Sequence, residues 1–328
     1  MMATMLNEWK KDQSQLKRSG IIDELPRACS DELTAVEFFE QRLWKGEPHC
    51  FHCGSINVYK MLDAKTGLRN KRFRWRCHDC HEQFTIRQGT VFEESRIPLR
   101  HWAYAFWRAA TSKKGVAALE IMRDCQITYK SALFMMHRIR FAMTSAPGSP
   151  KKLSGIVEAD ETYCGGKPRP GTGPHKRGRG TSKIPVLAVV QRNGDVRRQV
   201  VANVSAKNIA AHLALNVKRS AKLMTDEFNA YIPVGRKYAA HEVVNHNAKE
   251  YVRGDVHTNT AESSFAILKR GLIGIHHAVS PKHLHRYVSH YDFLWNARKM
   301  NDGERTALAI QSAEGKRLMY REPIAKAS

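Results

Sequence analysis

Two closely spaced pairs of cysteines carry the most recognisable chemistry in this sequence. Cys50 and Cys53 form one Cys-x-x-Cys pair, and Cys77 and Cys80 form the second, with residues 54–76 between them. Two such pairs can place four thiolates tetrahedrally around Zn²⁺, which makes a closed structural site. Redox-active pairs or free thiols are the alternative, but the doubled spacing favours zinc. We therefore predict a zinc ribbon with one structural Zn²⁺.

Five basic residues within 69–76, just before the second cysteine pair, interleave with Phe73 and Trp75. A surface that contacts phosphates and a solvated basic strand are equally compatible with this pattern. The residues are Arg69, Lys71, Arg72, Arg74 and Arg76.

Three acids stand in separate elements that a fold can bring together. Asp160 lies at the end of a predicted strand, Asp226 ends another, and Glu262 lies in the first turns of a predicted helix. Hard cations prefer oxygen ligands, so acids from separate elements suit a site for two Mg²⁺ ions about 4 Å apart. Lys269 follows Glu262 by two helical turns and lies on the same helix face.

Each acid also has a simpler interpretation. An acid at the end of a strand is usually a turn or capping residue, and a helical Glu–Lys pair is usually a surface salt bridge. The neighbouring Glu158 and Glu161 are also acceptable ligands on this pattern. Composition and spacing alone therefore leave the triad as one hypothesis among several.

The segment 116–143 has the outline of a helix-turn-helix. A helix is predicted from Val116, followed by a tight turn and a second helix that Thr128 caps. In that motif, the first residues of the second helix meet DNA bases. The candidates for DNA contact are Tyr129, Lys130 and Ser131, with His137, Arg138 and Arg140 further along. A small three-helix bundle would show the same periodicity.

The elements that position these residues fall into five segments. We predict an N-terminal helical segment (1–45) with Ser30 as a helix cap, a zinc ribbon (46–95), a helix-turn-helix-like DNA-binding segment (96–145), a mixed domain (146–300) and a C-terminal tail (301–328). The mixed domain begins with a linker at 145–152. Its predicted strands are 155–162, 184–191, 196–204 and 223–226, and its helices begin at Ser205, Thr258 and Pro281. This multi-domain α+β or α/β order indicates a mixed sheet flanked by helices.

The net charge favours a polyanionic partner. The chain has 54 Lys and Arg against 31 Asp and Glu, for a net charge of +23. Basic residues that meet phosphates release counterions, which favours binding to nucleic acid. An apolar share of 42% is sufficient for packed cores. No apolar run is long enough to span a bilayer, so we expect a cytoplasmic protein.

Residues 165–183 form a basic, Gly-rich segment without an acid. Such a composition cannot bury a core. The segment leaves the first predicted strand of the mixed domain, where it would contact DNA beside Asp160; a solvated loop is the alternative. The candidates for DNA contact are Lys167, Arg169, Lys176, Arg177 and Arg179.

Several blocks together resemble one group of bacterial insertion-sequence transposases, the zinc-ribbon group called family fifteen ninety-five. Its catalytic region is termed the ISXO2-like transposase domain. The resemblance runs from about Asp31 to Arg298. The blocks are Asp160-Glu161-Thr162-Tyr163-Cys164-Gly165-Gly166-Lys167, Thr225-Asp226, His257-Thr258-Asn259-Thr260-Ala261-Glu262, Leu268-Lys269-Arg270-Gly271, His276-His277, Ser280-Pro281-Lys282-His283-Leu284 and Arg286-Tyr287, preceded by Trp44, Cys50-x-x-Cys53-Gly54 and two stretches of residues 129–140.

That resemblance implies an RNase H-like fold with an Asp-Asp-Glu site for two Mg²⁺ (or Mn²⁺) ions. Asp160, Asp226 and Glu262 match the family's acidic triad, and Lys269 matches its downstream lysine, which contacts DNA near the cut. Arg270 is a further candidate for DNA contact. The implied activity is cleavage at the terminal inverted repeats and strand transfer by the freed 3′-hydroxyl. The implied partners are double-stranded DNA, including target DNA, and a second copy of the chain.

The chain departs from the family's pattern at two places, and neither touches the triad. Cys164 stands where an aliphatic residue is more usual, and residues 291–296 vary a block that usually has Glu and Arg. Two other functions remain open from sequence. One is a DNA-binding regulator without catalysis, and the other is an RNase H-like nuclease that cuts but does not join.

Overall fold

The computed structural model describes residues 21–144, 151–166, 181 and 183–319. It divides into two compact units. Unit 1 comprises Met1–Thr111, Ala118–Ala142 and Met300–Ser328, and unit 2 comprises Ser112–Ala117 and Met143–Lys299. Residues 145–150 of the expected linker lie outside the described residues.

The secondary structure alternates between helical and sheet-forming segments. The helices are α1 (Ile21–Ser30), α2 (Glu32–Trp44), α3 (Leu99–Thr111), α4 (Ala118–Cys125), α5 (Tyr129–Ala142), α6 (Ala206–Asn216), α7 (Ile232–Gly235), α8 (Asn259–Gly274), α9 (Leu284–Asn296) and α10 (Asp302–Gln311). The strands are β1 (Val58–Lys60), β2 (Trp75–Cys77), β3 (Gln83–Phe84), β4 (Ile156–Cys164), β5 (Ile184–Gln191), β6 (Val196–Val200), β7 (Lys222–Asp226) and β8 (Ala240–Val244). Among the described residues, no helix has the length and apolar character needed to cross a membrane.

The helices of unit 1 pack around an aromatic core. The ring of Phe92 lies 4.8 Å from that of Phe39 and 5.1 Å from that of Trp102, measured between centroids. These rings come from α2, α3 and the segment between them, so their burial ties the helices together. The small antiparallel sheet of β1, β2 and β3 belongs to the same unit.

Two helix boundaries in unit 1 differ from the predictions. Asp31 caps α2 instead of the expected Ser30, because its carboxylate accepts a hydrogen bond from the backbone N–H of Thr34 at 2.8 Å. The expected C-terminal tail contains α10, which begins with a capping box formed by Asn301 and Glu304.

Unit 2 is built on a mixed five-stranded sheet with the order β6-β5-β4-β7-β8. The strands β4, β5 and β6 are antiparallel, whereas β7 and β8 run parallel to β4. The mixed sheet flanked by helices is therefore confirmed. The edge strand β8 was not predicted, because Ala240–Val244 is half-exposed along most of its length and lacks a clear apolar alternation.

The two faces of this sheet bury different helices. Val157 and Ala159 of β4 pack with α6 and α7, whereas Cys164 packs with α8 and α9 on the other face. Side chains alternate between the faces along a strand. Glu158 and Asp160 therefore lie on the face that α8 covers.

The helix α8 continues past the stop that was predicted at Gly271. A Cβ atom at Gly271 would lie only 1.7 Å from the hydroxyl oxygen of Tyr291 on α9. That hydroxyl donates a hydrogen bond to the backbone carbonyl of Lys114 at 2.7 Å. Glycine at this position permits the close approach of two helices and does not end the first one.

Candidate active site and zinc centre

Two of the three predicted acids lie on neighbouring strands of the sheet in unit 2. The parallel strands β4 and β7 are paired with Glu158 opposite Met224, and this register brings Asp160, in the middle of β4, level with Asp226 at the end of β7. Carboxylate oxygens of Asp160, Glu161 and Asp226 all lie within 4.8 Å of one another. The structure therefore brings two predicted acids together and adds Glu161.

The electrostatics of this cluster match a site for a cation. The pKa of Asp160 is raised to about 8, first by burial and then by the negative charges of Glu161, Asp226 and Glu262. A hydrogen bond of 2.7 Å from the backbone N–H of Glu161 opposes this rise only in part. Clustered carboxylates repel one another, and a divalent cation with oxygen ligands relieves that repulsion.

Glu161 is oriented by a residue that sequence reasoning missed. Tyr231 directly precedes α7, and its hydroxyl donates a hydrogen bond of 3.1 Å to the carboxylate of Glu161. Tyr231 is buried, and burial together with the nearby carboxylates raises its pKa well above the ordinary value, so it stays a donor. Nothing in the sequence around Tyr231 distinguishes it from an ordinary core tyrosine.

Glu262 lies close to the cluster without joining it. It occupies the first turn of α8, is exposed, and lies 3.5 Å from the hydroxyl oxygen of Thr258. Its charge is near enough to raise the pKa of Asp160, although it lies outside the group of acids within 4.8 Å. Lys269 and Arg270 are exposed further along the same helix. Burial raises the pKa of the Cys164 thiol, and the positive charge of Lys269 partly opposes this rise.

Glu158, the other acid left open as a ligand, is not available to a metal. Its side chain is 0% exposed. Its two oxygens accept hydrogen bonds from Arg192, Thr260 and Ala261. A carboxylate that is already saturated in this way holds protein elements together.

The four predicted zinc ligands converge in unit 1. The sulfur of Cys50 lies 3.6 Å from that of Cys80, and the sulfur of Cys53 lies 3.6 Å from that of Cys77. All four sulfurs of this four-cysteine group lie within 4.8 Å of one another. Tetrahedral Zn²⁺ with Zn–S bonds of about 2.3 Å would separate its sulfurs by about 3.8 Å, so the group fits zinc.

The surroundings of the sulfurs also suit a closed structural site. Cys50 and Cys77 are buried and pack with Trp75 and Phe84. A hydrogen bond from the backbone N–H of Cys80 lowers the pKa of Cys77 to about 7, whereas burial and hydrogen bonds among the thiols raise the pKa of Cys80 to about 12. Binding of Zn²⁺ would therefore release the protons that the other thiols keep.

One of the basic residues between the cysteines does not form a phosphate surface. Arg69 is buried and paired with Glu40, which also accepts a hydrogen bond of 2.7 Å from the indole of Trp75. Arg69 therefore anchors the ribbon to α2. Lys71 and Arg72 remain exposed.

The helix-turn-helix candidates divide into exposed and buried residues. At the start of α5, Tyr129 and Lys130 are exposed and Ser131 is partly exposed. Thr128 caps this helix as predicted, since its hydroxyl accepts from the backbone N–H of Ser131 at 3.3 Å. The interpretation of Arg138 as a DNA contact is contradicted, because it is buried and donates to the backbone carbonyl of Val91 at 2.9 Å.

Two other basic side chains suggested on α5 are also buried. His137 and Arg140 are 7% and 0% exposed. They belong to the packing of unit 1, so only the first turn of α5 keeps exposed candidates for DNA contact. The basic loop residues Lys167, Arg169, Lys176, Arg177 and Arg179 lie outside the described residues.

Comparison with known families identifies the class of protein that carries these two sites as the zinc-ribbon transposases. The ISXO2-like transposase domain matches residues 152–296, which include all three predicted acids. The transposase zinc-ribbon domain matches residues 30–83, which include all four cysteines.

A relative places the chain more closely. An uncharacterized protein in transposable element ISH50 of Halobacterium salinarum is 30% identical over 273 residues, which cover 78% of this chain and 88% of that protein. The chain therefore belongs to the family of ISXO2-like insertion-sequence transposases with an N-terminal zinc ribbon.

Proposed function

We propose that this protein is the transposase of an insertion sequence. It binds the terminal inverted repeats of its element, cleaves DNA there with Mg²⁺, and joins the freed 3′-hydroxyl to target DNA. The observation that carries this proposal is the cluster of Asp160 and Asp226 on neighbouring parallel strands, with Glu262 facing the same region from α8.

The acids of this cluster would hold the metal ions. Asp160 and Asp226 are the central ligands, Glu161 lies within reach of both, and Glu262 completes the set. Two bound Mg²⁺ ions would activate the attacking oxygen and stabilise the leaving oxygen in an in-line displacement at phosphorus. The exposed Lys269 would contact the DNA near the cut.

Cleavage and joining are two displacements of the same kind. In the first, water attacks the phosphodiester at the element end and the 3′-oxygen leaves as a hydroxyl. In the second, that 3′-hydroxyl attacks a phosphodiester of the target, and a target 3′-hydroxyl leaves. No net redox change or external energy source is needed, because one phosphodiester replaces another in the second step.

The DNA would be held by separate surfaces of the two units. In unit 1, the first turn of α5 exposes Tyr129 and Lys130 as a helix-turn-helix would require. In unit 2, Arg270 is exposed beside Lys269, and the basic loop 165–183 leaves β4 four residues after Asp160. Its residues Lys167, Arg169, Lys176, Arg177 and Arg179 remain proposed contacts.

The mixed sheet and its helices support an RNase H-like fold for unit 2. The four-cysteine group and the matching zinc-ribbon family support one structural Zn²⁺ in unit 1. We further propose at least a dimer on DNA, since two element ends must be brought together for joining.

The experiment is a cleavage and joining assay with labelled element-end DNA and Mg²⁺. The wild type should give cleaved and joined products, and Asp226→Asn should lower the cleavage rate by about 10³-fold, since metal ligation stabilises the transition state by several kcal/mol. Asp195→Asn is the matched control, because Asp195 is an exposed acid of the same unit next to β6.

The outcomes separate three functions. Joined product that Asp226→Asn lacks and Asp195→Asn retains supports the transposase. Cleavage without joining of a pre-cut 3′-hydroxyl end supports a nuclease. Binding to correct ends without cleavage by the wild type contradicts the catalytic proposal and supports a DNA-binding regulator.

A further inference from the structure

Glu158 makes an unusual set of contacts for an acid in the middle of a buried strand. Its Oε2 accepts hydrogen bonds from the backbone N–H groups of Thr260 at 2.7 Å and Ala261 at 2.9 Å. Its Oε1 accepts from the side chains of Thr260 at 2.9 Å and Arg192 at 2.7 Å. These contacts join β4 to the first turn of α8.

The backbone N–H groups of Thr260 and Ala261 are in the first turn of α8, where an N–H has no carbonyl partner within the helix. The first N–H groups of any α-helix lack intrahelical partners, and a capping side chain usually accepts from the second or third of them. Thr258 stands at the capping position of α8, but its side chain makes no such hydrogen bond. Glu158 therefore supplies, from another element, the cap that α8 lacks in its own sequence.

The charge of Glu158 is compensated on both sides. A carboxylate at the N-terminus of a helix is stabilised by the helix dipole. Arg192 provides a positive partner and also donates to the backbone carbonyl of His257 at 3.1 Å, just before α8. The imidazole of His257 lies 3.3 Å from Glu158. The start of α8 is thus tied to the sheet by several contacts that converge on one carboxylate.

The contacts of Glu158 connect the two elements that carry acids of the proposed active site, the strand β4 with Asp160 and the helix α8 with Glu262. Glu158 precedes Asp160 by two residues on β4, so both side chains are on the face of the sheet that α8 covers. Glu262 follows Ala261 directly in the first turn of α8. The position of the third acid relative to the first therefore depends on the contacts of Glu158.

We propose that Glu158 is a positioning residue, which caps α8 from the sheet and thereby places Glu262 for binding the divalent cation beside Asp160. This inference rests on the proposed function of the acidic cluster. Glu158 itself touches neither the metal nor DNA. Partners that orient metal ligands typically change metal affinity by about 10- to 100-fold when they are removed.

The first test measures the protection of the α8 cap by amide hydrogen exchange. It uses the full chain loaded with zinc and free of Mg²⁺ and Mn²⁺. In Glu158→Met, the amides of Thr260 and Ala261 should exchange at least about tenfold faster, because the methionine side chain has a similar length but neither carboxylate oxygen. Leu213→Ala is the matched control, since Leu213 is a core residue of α6 in the same unit. It should accelerate exchange in α6 and leave these two amides unchanged.

The second test measures the effect on cation binding by titration with Mn²⁺ in the presence of element-end DNA, with signal from Asp226→Asn subtracted. Glu158→Met should bind Mn²⁺ at least about tenfold more weakly than the wild type. Leu213→Ala should keep the wild-type affinity. Thr260→Val serves as a milder second variant, because it removes only the hydroxyl contact to Glu158, and it should weaken binding by a smaller factor.

The outcomes are distinguishable from those of the proposed function. If the wild type and Asp226→Asn bind Mn²⁺ equally, the proposed metal site fails, and the positioning role fails with it. If the wild type binds Mn²⁺ but Glu158→Met and Thr260→Val bind it equally well, only the positioning role is wrong. Unchanged exchange at Thr260 and Ala261, or equal acceleration throughout unit 2, overturns the capping role on its own.

Discussion

The four-cysteine group of unit 1 and the acidic cluster of unit 2 are built in opposite ways. The four sulfurs come from two short turns, and the structure brings all of them to within 4.8 Å. The acids come from β4, β7 and α8, and Glu262 stays outside the cluster of Asp160, Glu161 and Asp226. The four-cysteine group surrounds its site with four ligands. The acidic cluster leaves part of its site open, and its carboxylates repel one another.

This difference follows from what each metal has to do. A structural Zn²⁺ with four thiolates contributes directly to folding. A catalytic pair of cations must leave positions for substrate oxygens, so its ligands cannot surround it. We therefore expect removal of the first metal to unfold the segment that holds it, and removal of the second to abolish activity with a much smaller loss of stability.

The largest expected effect is loss of the zinc ribbon in Cys77→Ser. Structural zinc sites contribute about 10 kcal/mol to the folding of small domains, so the segment 50–84 should lose its protection against hydrogen exchange. Zinc content, measured after unfolding with a colorimetric chelator, should fall from about one ion per chain to none. Cys29→Ser is the control, since Cys29 lies outside the four-cysteine group. Retained protection of 50–84 without zinc would contradict the account.

Acid should affect the sheet of unit 2 through a different group, His212. Burial lowers the pKa of His212 to about 4, and the ring contacts the backbone carbonyl of Arg197 at 3.2 Å. Below its ordinary value of 6.5, the unfolded chain binds a proton that the folded chain excludes. The folded state should therefore lose up to about 3 kcal/mol as the pH falls from 6.5 to 4.

Urea unfolding of unit 2 between pH 4 and 7 measures this loss. In His212→Gln, the dependence on pH should be weaker by that amount, since the group that titrates is gone. An identical pH dependence in both proteins would assign the acid sensitivity to other groups.

A smaller effect of opposite sign is expected at the acidic cluster. Asp160→Asn replaces a carboxyl group whose ionised form is disfavoured in the folded state by burial and by the neighbouring acids, so the protein without Mg²⁺ or Mn²⁺ should gain about 0.5–2 kcal/mol of stability. The gain should disappear in saturating Mn²⁺, which stabilises only the wild type. Thermal unfolding of the zinc-loaded protein, without added divalent cation and with Mn²⁺, checks both statements. A loss of stability without added cation would mean that Asp160 serves the fold and not a cation.

The two regions were also not equally predictable from sequence. The four-cysteine group could be predicted because its ligands are near neighbours with characteristic spacing. Asp226 ends its strand as predicted, whereas Asp160 lies in the middle of β4 and not at the predicted strand end. Their contact depends on the pairing of β4 with β7, which no local pattern specifies. The resemblance to a family supplied that information.

The missed features share a non-local cause. Arg138 looked like a DNA contact because it is basic, but its partners are backbone carbonyls before α3, far away in the chain. Gly271 looked like a helix end until Tyr291 of α9 explained it. Glu158 offered one usable signal, a charged residue within a buried strand on the same face as Asp160.

The most direct test of the central claim, that the acidic cluster binds the catalytic cation, is the cleavage rate of Asp226→Cys in Mg²⁺ and in Mn²⁺. A thiolate is a poor ligand for the hard Mg²⁺ and a better one for Mn²⁺. We predict a variant that is inactive with Mg²⁺ and regains at least about tenfold activity with Mn²⁺, beyond any change that Mn²⁺ causes in the wild type. A variant that cleaves normally with Mg²⁺, or that no metal rescues more than the wild type, would contradict the account.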